Sequence, residues 1–140
     1  MAGSKSAYLE AKLLDFVLGD TSYTPPGTVH IALSTSPFDP TATGSAMDEV
    51  SGGSYARIAV TNNTTNFPNA TGSNPAVKSP GLDIDFGTAS ADWGTVYSAY
   101  VVDAGSAGNI LYGSDAVTPI PVPNGSGLII PSGTWNFQET

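Results

Sequence analysis

The sequence predicts a mainly β protein: a jelly roll or β-sandwich of about eight short strands preceded by one α-helix, in one domain over residues 1–140. Three observations carry this. Apolar residues recur at every second position in several short runs, which are separated by clusters of Gly, Pro, Asn, Ser and Thr. Charged residues make up only 11 % of the chain beside 16 Gly and 11 Pro, a turn-rich and weakly ionic composition typical of all-β sandwiches. The stretch 95–102 (Thr-Val-Tyr-Ser-Ala-Tyr-Val-Val) is β-branched or aromatic on both alternating faces. A strand with one face in water would be polar at every second position, so this one is expected to be covered on both sides, as the central strand.

The helix is expected over about residues 6–18. Tyr8, Leu9, Leu13, Phe16 and Val17 fall on one stripe, with Glu10, Lys12 and Asp15 on other faces. Ser4 or Ser6 can cap its start, and Gly19 sits where a left-handed residue is wanted at its end. Such a short helix is unstable alone, so its stripe must dock on the β core or on a neighbouring subunit.

Strands are expected from about residue 28 to residue 138. In 28–34, Val29, Ile31 and Leu33 alternate with His30 and Ala32, the pattern of a half-buried strand. Residues 55–61 form a second strand with Ile58 and Val60 inward, and 82–86 a third with Asp83 and Asp85 outward. The turn 103–108 leads from the central strand into 109–113, which is expected to pair antiparallel with it. Residues 116–122 carry Pro119 and Pro121, which cannot donate to a ladder, so this segment reads as an edge strand or an extended arm. Residues 127–131 and 134–138 complete the set. Two long loops, 35–54 and 62–81, are the best candidates for contact surface.

Charge excludes two classes of partner. Four Lys or Arg stand against 12 Asp or Glu, a net charge of −8, and Lys5, Lys12, Arg57 and Lys78 are scattered along the chain. Nucleic acid and anionic membranes need clustered cations, so neither is expected. No apolar run is long enough to span a bilayer, and the first residues are polar where a signal peptide is apolar; the expectation is a soluble protein made in the cytoplasm.

Catalytic chemistry is sought without success, and the expectation is a protein that is not an enzyme, with no cofactor and no metal. There are no cysteines, and His30 is the lone histidine, with no Gly-x-Ser-x-Gly elbow to accompany it. It reads as an outward strand residue. Asp83 and Asp85 lie about 7 Å apart on one strand face and resemble a carboxylate pair, yet solvent-facing alternation explains them more simply. Asp92 and Asp103 bracket the central strand as turn caps, and Asp48-Glu49 reads as a solvated acidic pair. The glycine clusters open no helix with a following Lys and read as turns. The Asn-x-Ser/Thr triplets at Asn62, Asn63, Asn69 and Asn124 carry little weight in so Asn- and Thr-rich a chain.

Several phrases, in order, resemble a family of small structural proteins of tailed bacteriophages. They are Tyr8-Leu-Glu-Ala-Lys-Leu-Leu-Asp15, Tyr23-Thr-Pro-Pro26, Val29-His-Ile-Ala-Leu-Ser-Thr-Ser-Pro37, Glu49-Val-Ser-Gly-Gly-Ser-Tyr-Ala-Arg57, Ala91-Asp-Trp-Gly-Thr-Val96 and Gly108-Asn-Ile-Leu-Tyr112. Length and layout are most similar to the capsid cement, or head-decoration, proteins of short-tailed phages such as the Bordetella phage. The resemblance implies a jelly roll on the outer capsid surface of the virion, acting as a homodimer that bridges subunits of the major capsid protein. Relatives are also described as tail-fibre proteins, and in a fibre or receptor-binding module Trp93, Trp135 and exposed tyrosines would stack on sugars. The candidate capsid or dimer contacts are Tyr8, Phe38, Met47, Tyr55, Phe67, Pro119 and Pro121, drawn from the helix, the two long loops and the proline segment.

Overall fold

The computed structural model describes residues 2–139. In chain order these form β1 (Ala2–Lys5), α1 (Ala7–Val17), β2 (Thr28–Ser34), β3 (Ile58–Thr61), β4 (Ala76–Lys78), β5 (Ile84–Thr88), β6 (Gly94–Val102), β7 (Ile110–Val122), β8 (Gly127–Ile130) and β9 (Asn136–Glu139). Seven strands build one sheet in the order β3-β2-β6-β7-β1-β9-β4, and β5 pairs with β8 in a small second sheet. All neighbours are antiparallel except β1 and β9. The result is the expected mainly β, jelly-roll-like sandwich with one helix. No helix among the described residues is long and apolar enough to cross a membrane.

The main core lies between the sheets. Val29, Ile31 and Leu33 of β2 and Ala99 and Val101 of β6 meet Ile84 and Phe86 of β5 and Leu128 and Ile130 of β8. Trp93 and Trp135 are buried there at 4 % and 0 % exposure, so neither indole is open to a sugar. Each buried ring N–H finds an acceptor: Trp93 Nε1 donates to the Gly53 carbonyl at 2.8 Å and Trp135 Nε1 to Ser114 Oγ at 2.8 Å.

β6 sits between β2 and β7 and is buried on both faces from Ser98 to Val102, whereas Tyr97, also expected to be covered, is 39 % exposed. The opposite face of the sheet has its own apolar cluster of Ala32, Tyr100, Val102 and Ile110, roofed by Phe38, Ala42 and Met47. β2 is therefore not half exposed: Ala32, expected outward, is fully buried because the loop after β2 folds back over it. The phenol of Tyr100 accepts a hydrogen bond from Asp39 N–H at 3.1 Å, and burial raises its pKa.

Ser6 is the N-cap of α1, its Oγ accepting from Leu9 N–H at 3.1 Å and donating to the Ile110 carbonyl. Ala7 N–H donates to the Pro40 carbonyl at 2.8 Å, which pins the first turn to the roof. The far end differs from expectation. The left-handed residue is Asp20 (φ 53), a type that tolerates that region, and not Gly19. Of the predicted stripe, Leu9 is buried and Leu13 packs against the core, but Phe16 and Val17 extend past the sheet and remain 51 % and 70 % exposed.

Other boundaries shift. The 55–61 strand shortens to β3 because Tyr55 lies in a turn, and 62–81 contains β4. The two expected segments merge into a single strand, β7, which pairs antiparallel with β6 on both sides of a register shift (Tyr100 with Gly113, Val96 with Ile120).

Candidate interaction surfaces

The loop expected to be a free contact surface is a braced roof, and Arg57 braces it. Its guanidinium grips the Glu49 carboxylate with two hydrogen bonds, Nε to Oε2 at 2.9 Å and Nη2 to Oε1 at 2.8 Å. The remaining donors reach the carbonyls of Gly44 (2.9 Å), Ala104 (2.8 Å) and Ala107 (2.9 Å). A rigid fork with five donors is matched by five acceptors on two separate loops, a geometry a lysine cannot reproduce. Glu49 is thus not a solvated acid, and it also accepts from the Tyr55 hydroxyl at 2.8 Å. Burial, foremost, drives the Tyr55 pKa strongly upward. Close approach of the two loops explains Gly44, where a Cβ would stand 2.0 Å from the Ala107 oxygen.

A groove opens where α1 leaves the sheet. It encloses about 350 Å³ and its walls are Leu9 and Leu13 of the helix, Tyr23, Pro25 and Pro26 of the segment after it, and Phe67 and Ala70 of the second long loop. Val101, Leu111, Tyr112 and Phe137 form the floor. Its polar rim is Asn62, Lys78 and Glu139. Lys5 pairs with Glu139, and Lys12 lies over the Tyr8 ring at 5.6 Å on the helix flank. Arg57 is consumed inside the fold; of the three lysines, Lys78 lines the groove and Lys5 pairs with the Glu139 that lines it. Burial and the adjacent Glu139 carboxylate push the Tyr112 phenol up to about 12. Beside the groove the helix ends in an uncovered apolar tip, with Leu14 61 %, Val17 70 % and Leu18 79 % exposed. That tip carries Asp15 and Asp20 with no basic residue in the last turn, next to the negative end of the helix dipole.

A second apolar slot of about 380 Å³ lies between the distal half of β7 and β8, lined by Val96, Ala116, Val117, Ile120 and Ile129 among others. The Val122 carbonyl accepts from Trp93 N–H, so Val122 faces β6. By alternation Pro121 faces the open flank of the strand, where it removes the N–H an incoming strand would need, and Pro119 lies in the register shift between Asp115 and Ile120, which itself disrupts the edge. The edge is blunted rather than offered.

The chemical candidates resolve into structure. Asp83 accepts from Ser132 N–H at 2.8 Å, Asp85 from Gly87 N–H at 2.8 Å, Asp92 from Asn124 N–H at 2.7 Å and Asp103 from Asn109 N–H at 2.7 Å. All four tie turns, as read for Asp92 and Asp103. His30 is not plainly outward: it is partly covered by the 103–109 loop at Gly105, and its Nδ1 is buried without a partner. Among the described residues no three His, Asp or Glu side chains come together as a metal site would require.

The predicted contact residues divide. Met47 is buried in the second core, Phe38 packs on Tyr100 with ring centroids 5.3 Å apart, and Tyr55 stacks on Phe86 at 6.2 Å and meets Trp93 edge-on at 5.6 Å. Phe67 lines the groove, Tyr8 is half-buried beside Lys12, and Pro119 and Pro121 are exposed. The helix stripe does not pick out Leu14 and Leu18, although two leucines near a helix end are a usable signal, and Lys78 reads from the sequence only as one of four scattered cations.

The fold is a braced sandwich with an apolar groove and an exposed apolar helix tip. A family model for the podophage GP4 fiber I protein gp80 matches residues 4–138, and the chain belongs to that family. It is a structural protein of a short-tailed phage virion. No curated protein matches it.

Proposed function

We propose that the chain is a fibre module of a short-tailed phage, holding its place in the virion through protein contacts and catalysing no reaction. The observation that carries this is the match of a fiber-protein family to nearly the whole chain. The placement of its carboxylates in turns, and of both tryptophans in the core, supports a role in contact over one in chemistry or sugar stacking.

The second reading is capsid cement on the outer head surface, bridging the major capsid protein, and it rests on the similarity of the chain's length and layout to such proteins within the phage family that 8–15, 23–26, 29–37, 49–57, 91–96 and 108–112 resemble. An acidic chain of net charge −8 suits any site away from packaged DNA and so favours neither reading. Quantitative mass spectrometry of purified virions, with immunogold labelling, tests the proposal. Fibre function gives a small copy number with gold confined to the tail vertex. Labelling over the whole head would overturn it in favour of cement.

A further inference from the structure

We propose that the groove beside α1 is a binding site for one molecule of a long-chain carboxylate, its acyl tail laid along the apolar floor and its head at Lys78. The observation that carries this is the state of Lys78. It is half-buried and lines the groove, yet among the described residues its ammonium forms no ion pair and no hydrogen bond. Its polar neighbours are engaged elsewhere. Glu139 is neutralised by Lys5 and accepts from the Tyr112 hydroxyl at 3.4 Å, and Asn62 Nδ2 donates to the Pro26 carbonyl at 2.9 Å. One uncommitted cation therefore stands in an apolar concavity, on a chain of net charge −8. Its complement is a single anionic head on an apolar body.

Size and hydrogen bonding select the body. A volume of about 350 Å³ falls at the lower end of the roughly 300–1,000 Å³ of small-ligand sites, and is too little for a helix about 10 Å across. An extended peptide would bury N–H and C=O groups along its length, and the walls hold few partners for them. Pro25 and Pro26 lack an N–H, and Val101 and Leu111 lie inside the β6–β7 ladder. An acyl chain has no polar group to leave unpaired, and Phe67, Tyr112 and Phe137 offer it flat apolar surface. The ligand is the free acid and not a bilayer, because an acidic chain with scattered cations is repelled by anionic lipid.

Isothermal titration with dodecanoate below its micellar concentration tests this. One site per chain in the micromolar range is expected, weakening about fourfold for each methylene removed from the tail. Dodecyltrimethylammonium, with the same tail and the opposite charge, should bind at least about tenfold more weakly. Lys78→Gln should erase that preference. Ala70→Trp, at an exposed position on the groove wall, should block both amphiphiles while thermal melting of the free protein is unchanged. Absence of saturable dodecanoate binding overturns the proposal. So does equal affinity for the two head charges, a preference that survives Lys78→Gln, or binding that survives Ala70→Trp. Recruitment of the protein to phosphatidylglycerol vesicles overturns it too, by giving the groove to a membrane.

Discussion

Replacing Arg57 with alanine should unfasten the roof over the second core. The guanidinium is 4 % exposed and holds a partner carboxylate that is 23 % exposed, together with three carbonyls on two loops. Removing one member of a buried ion pair costs about 3–5 kcal/mol, because the other charge stays behind unpaired. The three stripped carbonyls would each add about 1 kcal/mol if they stayed dry, but the loops can relax and admit water. A net loss of about 4 kcal/mol follows, a large part of the roughly 5–15 kcal/mol that holds a domain together. Arg57→Lys keeps the charge but cannot span five acceptors, and should lose about half as much. Urea midpoints at constant slope give the total. Hydrogen exchange gives its location: Gly44 N–H, bonded to Gly108 O, and Val50 N–H, bonded to Leu33 O, should exchange faster in the variant than β6 amides do. A loss under about 1 kcal/mol, or unchanged protection at those two amides, would refute the reasoning and make the roof stable without its brace.

Two further outcomes are expected. Tyr100→Ala removes a fully buried ring beneath Phe38 and leaves Asp39 N–H without its acceptor, and should cost at least about 3 kcal/mol by thermal melting; Tyr100→Phe, which loses only the hydroxyl, should cost about 1 kcal/mol. In alkali, Tyr112 should be one source of lost stability, beside the buried phenols of Tyr55 and Tyr100. Its ordinary pKa of 10.0 is raised to about 12 in the fold, so its contribution is complete below 10 and is lost as pH rises through about 12. Urea midpoints across that window should fall less steeply in Tyr112→Phe, and equal slopes would remove Tyr112 as a contributor.

What could be read in the residues follows from periodicity. β2 was bounded correctly at residues 28–34 because Val29, Ile31 and Leu33 alternate, and β6 declared itself central by being apolar on both faces. The roof could not be read: Phe38, Ala42 and Met47 have no period, and they become a buried layer only because β2 and β6 lie beneath them. β1 was missed for a similar reason, since Ala-Gly-Ser-Lys has no strand preference and is extended only because β7 and β9 hold it on either side. Phe38, Met47 and Tyr55 were apolar residues in apparent loops and so looked available for contact, while the sandwich used them as filling. The groove assembles α1, the second long loop, β7 and β9 across most of the chain, and no local pattern announces it.

The place of β1 in the sheet has a kinetic consequence. Residues 2–5 pair with 112–113 on one side and 136–137 on the other, so β1 finds both of its neighbours more than a hundred residues further along the chain. Contacts of such long sequence separation are slow to form. On the ribosome β1 must wait unpaired until the segment that forms β7, about a hundred residues later, has emerged.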